Sequence, residues 1–175
     1  SSYTCGHSDR VAKISLLLAQ DLGLSQKDQQ YIHIAAHLHD IGKIGIPDNI
    51  LNKPGKLTLD EFNIIKQHPI IGYEIVNKIS HFSSIAEIVR HHHERFDGTG
   101  YPDKLKNNEL SIGSKIVALA DSFDAMISKR SYKEELSLAN ALIESKRCIN
   151  SQFDSLVVNS LVRLVEQGYL HALCA

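Results

Sequence analysis

The sequence predicts an all-α bundle with two prominent loops. Three observations carry that reading. Apolar residues recur at helical spacing through most of the chain, Ser/Thr residues followed three positions later by Asp/Glu punctuate it, and no stretch alternates as a half-buried strand would. Val11, Ile14, Leu17 and Leu18 mark the first helix, which Gly23 closes. Ser25 with Asp28 is a capping pair and opens a second helix that runs to about Asp40. Gly42, Gly45, Pro47, Pro54 and Gly55 then break the chain into the first loop. Thr58 with Glu61, and Ser84 with Glu87, read as two further capping boxes, each opening a helix. The second loop spans Phe96 to Ser111 and holds Gly98, Gly100 and Pro102, after which three helical patterns follow, near 112–129, 133–147 and 153–167.

A chain of 175 residues suits one domain, and one of this size buries roughly 70% of the surface its unfolded form exposes. Lys+Arg is 19 against Asp+Glu 20, a net charge of -1, which excludes the strong basic bias of a general binder of nucleic-acid polymers but leaves room for a local basic pocket. No apolar run approaches the ~20 residues of a membrane span, and no signal-peptide pattern opens the chain. Cys5, Cys148 and Cys174 are odd in number and scattered, as reduced thiols of a cytoplasmic protein are. The first residue is Ser1 and the one methionine is Met126, so residues 1–175 are expected to be a domain excised from a longer protein with an N-terminal sensory or receiver partner. Ten histidines are out of proportion, and most of them precede residue 94.

Histidines and carboxylates collect where helices meet loops. His39-Asp40 ends the second helix, and neighbours on a helix point ~100° apart, so they can hold two edges of one metal site. A carboxylate has two oxygens and can bridge two cations, as two-metal phosphoesterases require at ~3.5–4 Å separation. His92-His93-Glu94 is a second cluster, while His7 and His68 stand alone near helix ends. Asp121 lies in the apolar run Val117-Ala118-Leu119-Ala120, where a bare carboxylate is costly unless paired or metal-bound. Taken singly, each of these residues also fits a structural role, a cap or a satisfied buried group. Together they favour a metal site. Nitrogen and oxygen donors without thiolates suit Mn, Fe, Ni or Zn rather than Ca. A rival stripe, His33, His37 and Asp40 at i, i+4, i+7, is equally open on spacing alone.

The stretches HDIGKIGIPDNILNKPGKLT (39–58), HHERFDGTGYP (92–102) and IGSKIVALADSFDAMISKRSYK (112–133) resemble the HD-GYP family of the HD phosphohydrolase superfamily, and the likeness begins at His7 in HSDRVAK. The resemblance implies a helical bundle of the HD-domain type and a cytoplasmic, metal-dependent phosphodiesterase. That enzyme would hydrolyse the bacterial second messenger cyclic di-GMP, mainly to linear pGpG, by a metal-bridging hydroxide. It implies His7, His39, Asp40 and Asp121 as ligands on one side of the centre, with Asp40 bridging to a second metal held by His68, His92 and His93. His33, His37 and His91 fall at positions that the family motif leaves open.

The same resemblance makes Asp40 and Lys43 catalytic, with Lys43 facing the substrate phosphate, and places Arg130 and Lys133 on the second phosphate, where an Arg fork suits phosphate oxygens. It gives Tyr101, in the Gly98–Pro102 loop, to the substrate pocket or to a surface that meets partners such as GGDEF-type cyclases. Glu94 and Asp97 are expected to orient histidines, and the 44–57 loop to lie as a lid over the metals. Two divalent cations are expected, Fe or Mn first, with Ni, Zn or Co also suitable. Three-metal members carry Glu-Thr-Gly-x-His, whereas here Tyr3-Thr4-Cys5-Gly6-His7 puts a neutral phenol where that carboxylate would stand, and a phenol is a poor ligand for a hard cation. Other readings are an HD-superfamily phosphohydrolase acting on another cyclic nucleotide or dinucleotide, and a catalytically idle interaction module that works through the Gly98–Pro102 loop.

Overall fold

Helix α1 (Ser2–Asp21) buries Val11, Ile14 and Leu18, the stripe that the apolar spacing marks. It closes where Gly23 adopts φ +67°, a left-handed conformation that costs glycine little. The computed structural model describes residues 2–128 and 135–171. Ser25 caps α2 (Gln26–Leu38), its hydroxyl oxygen accepting the Asp28 N–H at 3.1 Å. The helix stops two residues before Asp40, with His39 as its C-cap.

The first loop is more ordered than its Gly and Pro content suggests. A 3-10 turn, Ile41–Gly45, is closed by Lys43 N–H to Asp40 C=O and Ile46 N–H to Lys43 C=O, both 3.0 Å. Pro47 then leads into a four-residue helix, α3 (Asp48–Leu51). Both halves of the Thr58–Glu61 capping box are formed at the head of α4 (Leu59–Ile65), and Lys53 reaches across to pair with Glu61 at 2.7 Å. Next come α5 (His68–Val76), with Pro69 in its first turn, and α6 (Ser83–His91). The expected Ser84–Glu87 box is corrected. Phe82, partly buried against the core, takes the N-cap position and its carbonyl accepts the Ala86 N–H at 2.8 Å, which leaves Ser84 exposed inside the first turn.

The second loop contains a short 3-10 turn, Asn107–Glu109, and ends at Ser111, which caps α7 (Ile112–Ile127). Helix α8 (Leu138–Arg147) starts later than the 133 expected, at the Ser137 cap, and Asp154 caps α9 (Ser155–Glu166). Among the described residues there is no strand, and the one β feature is an isolated bridge between Ile149 and Phe153. The described part of the chain is therefore all-α.

Helix α7 is the central rod. It packs on α1, α2, α6, α8 and α9, with Ile116, Leu119, Ala120 and Phe123 fully buried. The 3-10 turn lies directly on α5, so closely that a Cβ on Gly42 would stand 1.9 Å from the His68 carbonyl oxygen and 2.5 Å from the Gly72 nitrogen. That contact brings Asp40 beside His68. No helix among the described residues is long and apolar enough to cross a membrane.

Candidate metal centre

Three histidines of the centre share one local device. The last carbonyls of a helix have no intrahelical partner, and a ring N–H can satisfy one. His39 Nδ1 donates to the Ala36 carbonyl at 2.6 Å, His68 Nδ1 to Ile65 at 2.7 Å and His92 Nδ1 to Val89 at 2.6 Å, each three residues back at the end of α2, α4 or α6. Only a protonated Nδ1 can make that bond, so the neutral ring keeps its lone pair on Nε2. All three rings are buried.

His7 is aimed differently. Its Nδ1 donates to Asp124 Oδ2 at 2.7 Å, and Asp124 is fully buried and held in turn by Arg10, whose Nε donates to Oδ1 at 2.6 Å. On its other side His7 Nε2 lies 3.2 Å from Asp121 Oδ1. Asp121 and Asp124 therefore present one face of α7 to the start of α1.

These side chains form two donor groups, Asp40 with His68, His92 and His93, and His7 with His39 and Asp121, the atoms of each group lying within 4.8 Å of one another. The seven side chains that the family resemblance implies as ligands are the seven members of these two groups. Asp40 stands between them, with Oδ1 3.4 Å from His68 Nε2 and Oδ2 3.6 Å from His39 Nε2.

A cation suits this arrangement on two observations. His39 Nε2 is buried and has no hydrogen-bond partner among the described residues, although buried polar atoms are nearly always paired. The Nε2 atoms of His68 and His92 face each other at 3.3 Å although both rings have spent Nδ1–H on carbonyls, so two lone pairs meet unless a cation or a proton lies between them.

The electrostatics favour the ligand forms of most donors. Burial drives His92 well below the usual imidazole range, holds His93 down to about 4 and lowers His68, so these rings are neutral at neutral pH. Burial pushes the Asp40 and Asp121 carboxyls up, but His39 and Lys43 beside Asp40, and the His7 bond with His39 beside Asp121, outweigh it, and both stay below the usual carboxylate range. His7 is the exception. Burial lowers it, yet the bonds to Asp121 and Asp124 raise it to about 9.

Around the cluster, Lys43 donates its ammonium to Asp40 Oδ2. Tyr101 stacks on His93, with ring centroids 4.9 Å apart and planes at 28°, and burial pushes its phenol up from the usual value. Gly100 permits this loop path by close approach, since a Cβ there would meet the Arg95 nitrogen and Glu94 Cα at 2.5 Å. The orienting roles expected of Glu94 and Asp97 are corrected. Glu94, buried, accepts the backbone N–H groups of Asp103, Lys104 and Leu105 at 2.6, 3.0 and 3.2 Å, and Asp97 accepts from Thr99. Both carboxylates fold the loop, while His39, His68 and His92 are oriented by carbonyls and His7 by Asp124.

The rival stripe is not assembled. His33 and His37 pack edge to face at 4.7 Å and turn to Ala12 and Asp9 of α1. His91 pairs with Asp103. Arg130 and Lys133 lie outside the described residues. Asp124 was not singled out in the sequence, although its position one turn after Asp121 in an apolar helix is a usable signal.

A profile of the HD domain matches residues 2–157. A cyclic di-GMP phosphodiesterase of Thermotoga maritima is 46% identical over 92% of this chain and 44% of its own length. A 3'3'-cGAMP-specific phosphodiesterase of Vibrio cholerae is 38% identical over 88% of this chain and 34% of its own. Among solved structures, an HDG"Y"P protein of Bdellovibrio bacteriovorus superposes with a TM-score of 0.74 at 26% identity, covering 91% of this chain and 51% of that one. The chain spans less than half the length of these curated relatives.

Proposed function

Because the chain belongs to the HD-domain family, we propose that it is a metal-dependent phosphodiesterase that hydrolyses cyclic di-GMP, mainly to linear pGpG. The observation that carries this reading is the pair of His/Asp donor groups joined at Asp40, with the buried His39 Nε2 left unpartnered between them. Two divalent cations, Fe or Mn first and Ni, Zn or Co also suited to N and O donors, would be held by His7, His39 and Asp121 and by His68, His92 and His93, with Asp40 shared, and when bound would lower the pKa of water and neutralise phosphoryl charge. A count of two rather than three rests on Tyr3, which lies one turn before His7 in α1 where a third metal would want a carboxylate.

The protein's own groups do the rest. Carbonyls behind His39, His68 and His92 fix the rings before substrate arrives, so little reorganisation is needed during reaction. Lys43 holds the Asp40 carboxylate and offers its charge to an incoming phosphate. The Tyr101 ring covers His93 and limits water there. Arg130 and Lys133 take the second phosphate in this reading.

A second reading is hydrolysis of a mixed cyclic dinucleotide, favoured by the Vibrio cholerae relative named for 3'3'-cGAMP. An idle binding module is disfavoured because the donor set is intact. Docking of GGDEF-type cyclases on the exposed side of the Gly98–Pro102 loop, and a cytoplasmic location, belong to the same proposal. Chromatography of cyclic di-GMP incubated with protein loaded anaerobically with Mn or Fe tests it. Accumulation of pGpG is expected, and intact cyclic di-GMP and 3'3'-cGAMP after prolonged incubation would contradict the reading.

A further inference from the structure

A cavity of about 290 Å³ opens beside His92 and His93, between α4, the second loop, the middle of α7 and the turn before α9. Its walls differ in chemistry from the metal groups. Phe62 and Tyr101 supply aromatic rings, Arg95 and Lys66 supply cations, and Ser122 and Gln152 supply neutral polar groups. We propose that this cavity is a nucleobase subsite that takes one guanine of the substrate, with Phe62 and Tyr101 flanking the base and Arg95 reading its edge. The proposal rests on the phosphodiesterase reading and adds the residues that decide which base is accepted.

Size is the first argument. Pockets for whole small molecules run from roughly 300 to 1,000 Å³, so this one suits a single nucleoside of a dinucleotide whose phosphate lies at the metal centre. The second is the rings. Phe62 is 42% exposed, an aromatic face left in solvent at the mouth of the site. Lys66 Nζ lies 4.6 Å from the Phe62 centroid and 5.6 Å from that of Tyr101, so one movable ammonium covers both faces. A base brings its own π faces to these rings, and Lys66 then turns its charge to a phosphate oxygen.

Hydrogen-bonding capacity is the third argument. Among the described residues, Arg95 is engaged along its Nε edge, by Thr99 Oγ1 at 3.0 Å and by Asp97 Oδ1 at 3.7 Å. The terminal amino groups of a guanidinium can pair with the two acceptors of guanine, O6 and N7, whereas adenine opposes them with its own N6 donor. The side-chain amide of Gln152 makes one long bond, 3.4 Å to Ser122 Oγ, and its oxygen can accept from a base N–H. The Glu94 carboxylate in the cavity wall is spent on three backbone N–H groups of the loop.

Two readouts on metal-loaded full chain test this. The first is the kcat/KM for cyclic di-GMP divided by that for bis(p-nitrophenyl) phosphate, a diester with no base. Arg95→Ala, and separately Phe62→Ala, should lower this ratio at least tenfold. A ratio within about twofold of the unaltered protein in both variants overturns the subsite. The second is equilibrium binding of GMP and AMP by calorimetry, which needs no turnover. GMP should bind at least fivefold more tightly than AMP, and Arg95→Ala should erase most of that difference. Equal affinities in the unaltered protein overturn the guanine assignment. If the unaltered protein cleaves neither diester, the phosphodiesterase reading fails and the binding comparison alone decides the subsite.

Discussion

His39, His68 and His92 each give the Nδ1 proton to a carbonyl three residues back, whereas His7 gives its proton to the buried carboxylate of Asp124, clamped by Arg10. A ligand's orienting partner is commonly worth 10- to 100-fold in metal affinity. Asp124→Ala should therefore weaken Mn binding by about that factor in a metal titration, with helicity by circular dichroism largely retained. Asp124→Asn keeps an acceptor oxygen for His7 and should recover most of the loss. Equal Mn affinity in Asp124→Ala and the unaltered protein would contradict the role. The candidate donors were legible in part, since the His39-Asp40 and His92-His93 adjacencies and a carboxylate amid Val117-Ala118-Leu119-Ala120 are local signals, whereas the choice over the His33/His37 stripe rested on the family resemblance. The orienting shell was not legible. Backbone carbonyls leave no mark in side-chain identity, and the Asp124–His7 bond joins residues 117 positions apart.

At the scale of elements, the centre depends on how closely α5 approaches the turn after α2. Gly42→Ala places a Cβ 1.9 Å from the His68 carbonyl oxygen, which is backbone and cannot swing aside. The turn must move and take Asp40 with it, so a loss of roughly 2–4 kcal/mol in stability by denaturant titration is expected, together with loss of metal binding. A variant as stable as the parent would contradict the packing.

A second contact ties α1 to α9. Asp21 accepts from Ser160 at 2.6 Å and pairs with Arg163 at 2.5 Å. The Arg163 and Ser160 donors hold its carboxyl below the usual value of 3.8. A depressed carboxyl stabilises the fold above its unfolded pKa, and that stabilisation is lost as pH falls through the lower folded value. The Tm gap between the unaltered protein and Asp21→Asn should thus be open at pH 6 and close below about pH 4, a contribution under about 1 kcal/mol because Arg163 is half exposed. A gap independent of pH would refute this. The helices themselves were legible from apolar spacing and caps, as at Ser25, Thr58 and Gly23. The start of α6 was not, because Phe82 sets the chain's entry by packing rather than by a polar cap.

Taken whole, the fold is a bundle around α7 that brings the start of α1, the ends of α2 and α6 and the start of α5 to one cluster. A ligand that binds only the folded form stabilises it, by about 2.7 kcal/mol at a hundredfold excess over Kd. Loading with Mn should raise Tm by several degrees and EDTA should reverse it, and a Tm indifferent to both would deny a metal any place in the folded cluster.

A single two-metal centre joined at Asp40, as proposed, is tested by metal content per chain after anaerobic loading with excess Mn or Fe. It predicts about two ions per chain in the unaltered protein, as a two-metal phosphoesterase site holds, and marked loss in Asp40→Ala at unchanged helicity. A reproducible content near three, or full content in Asp40→Ala, would contradict it.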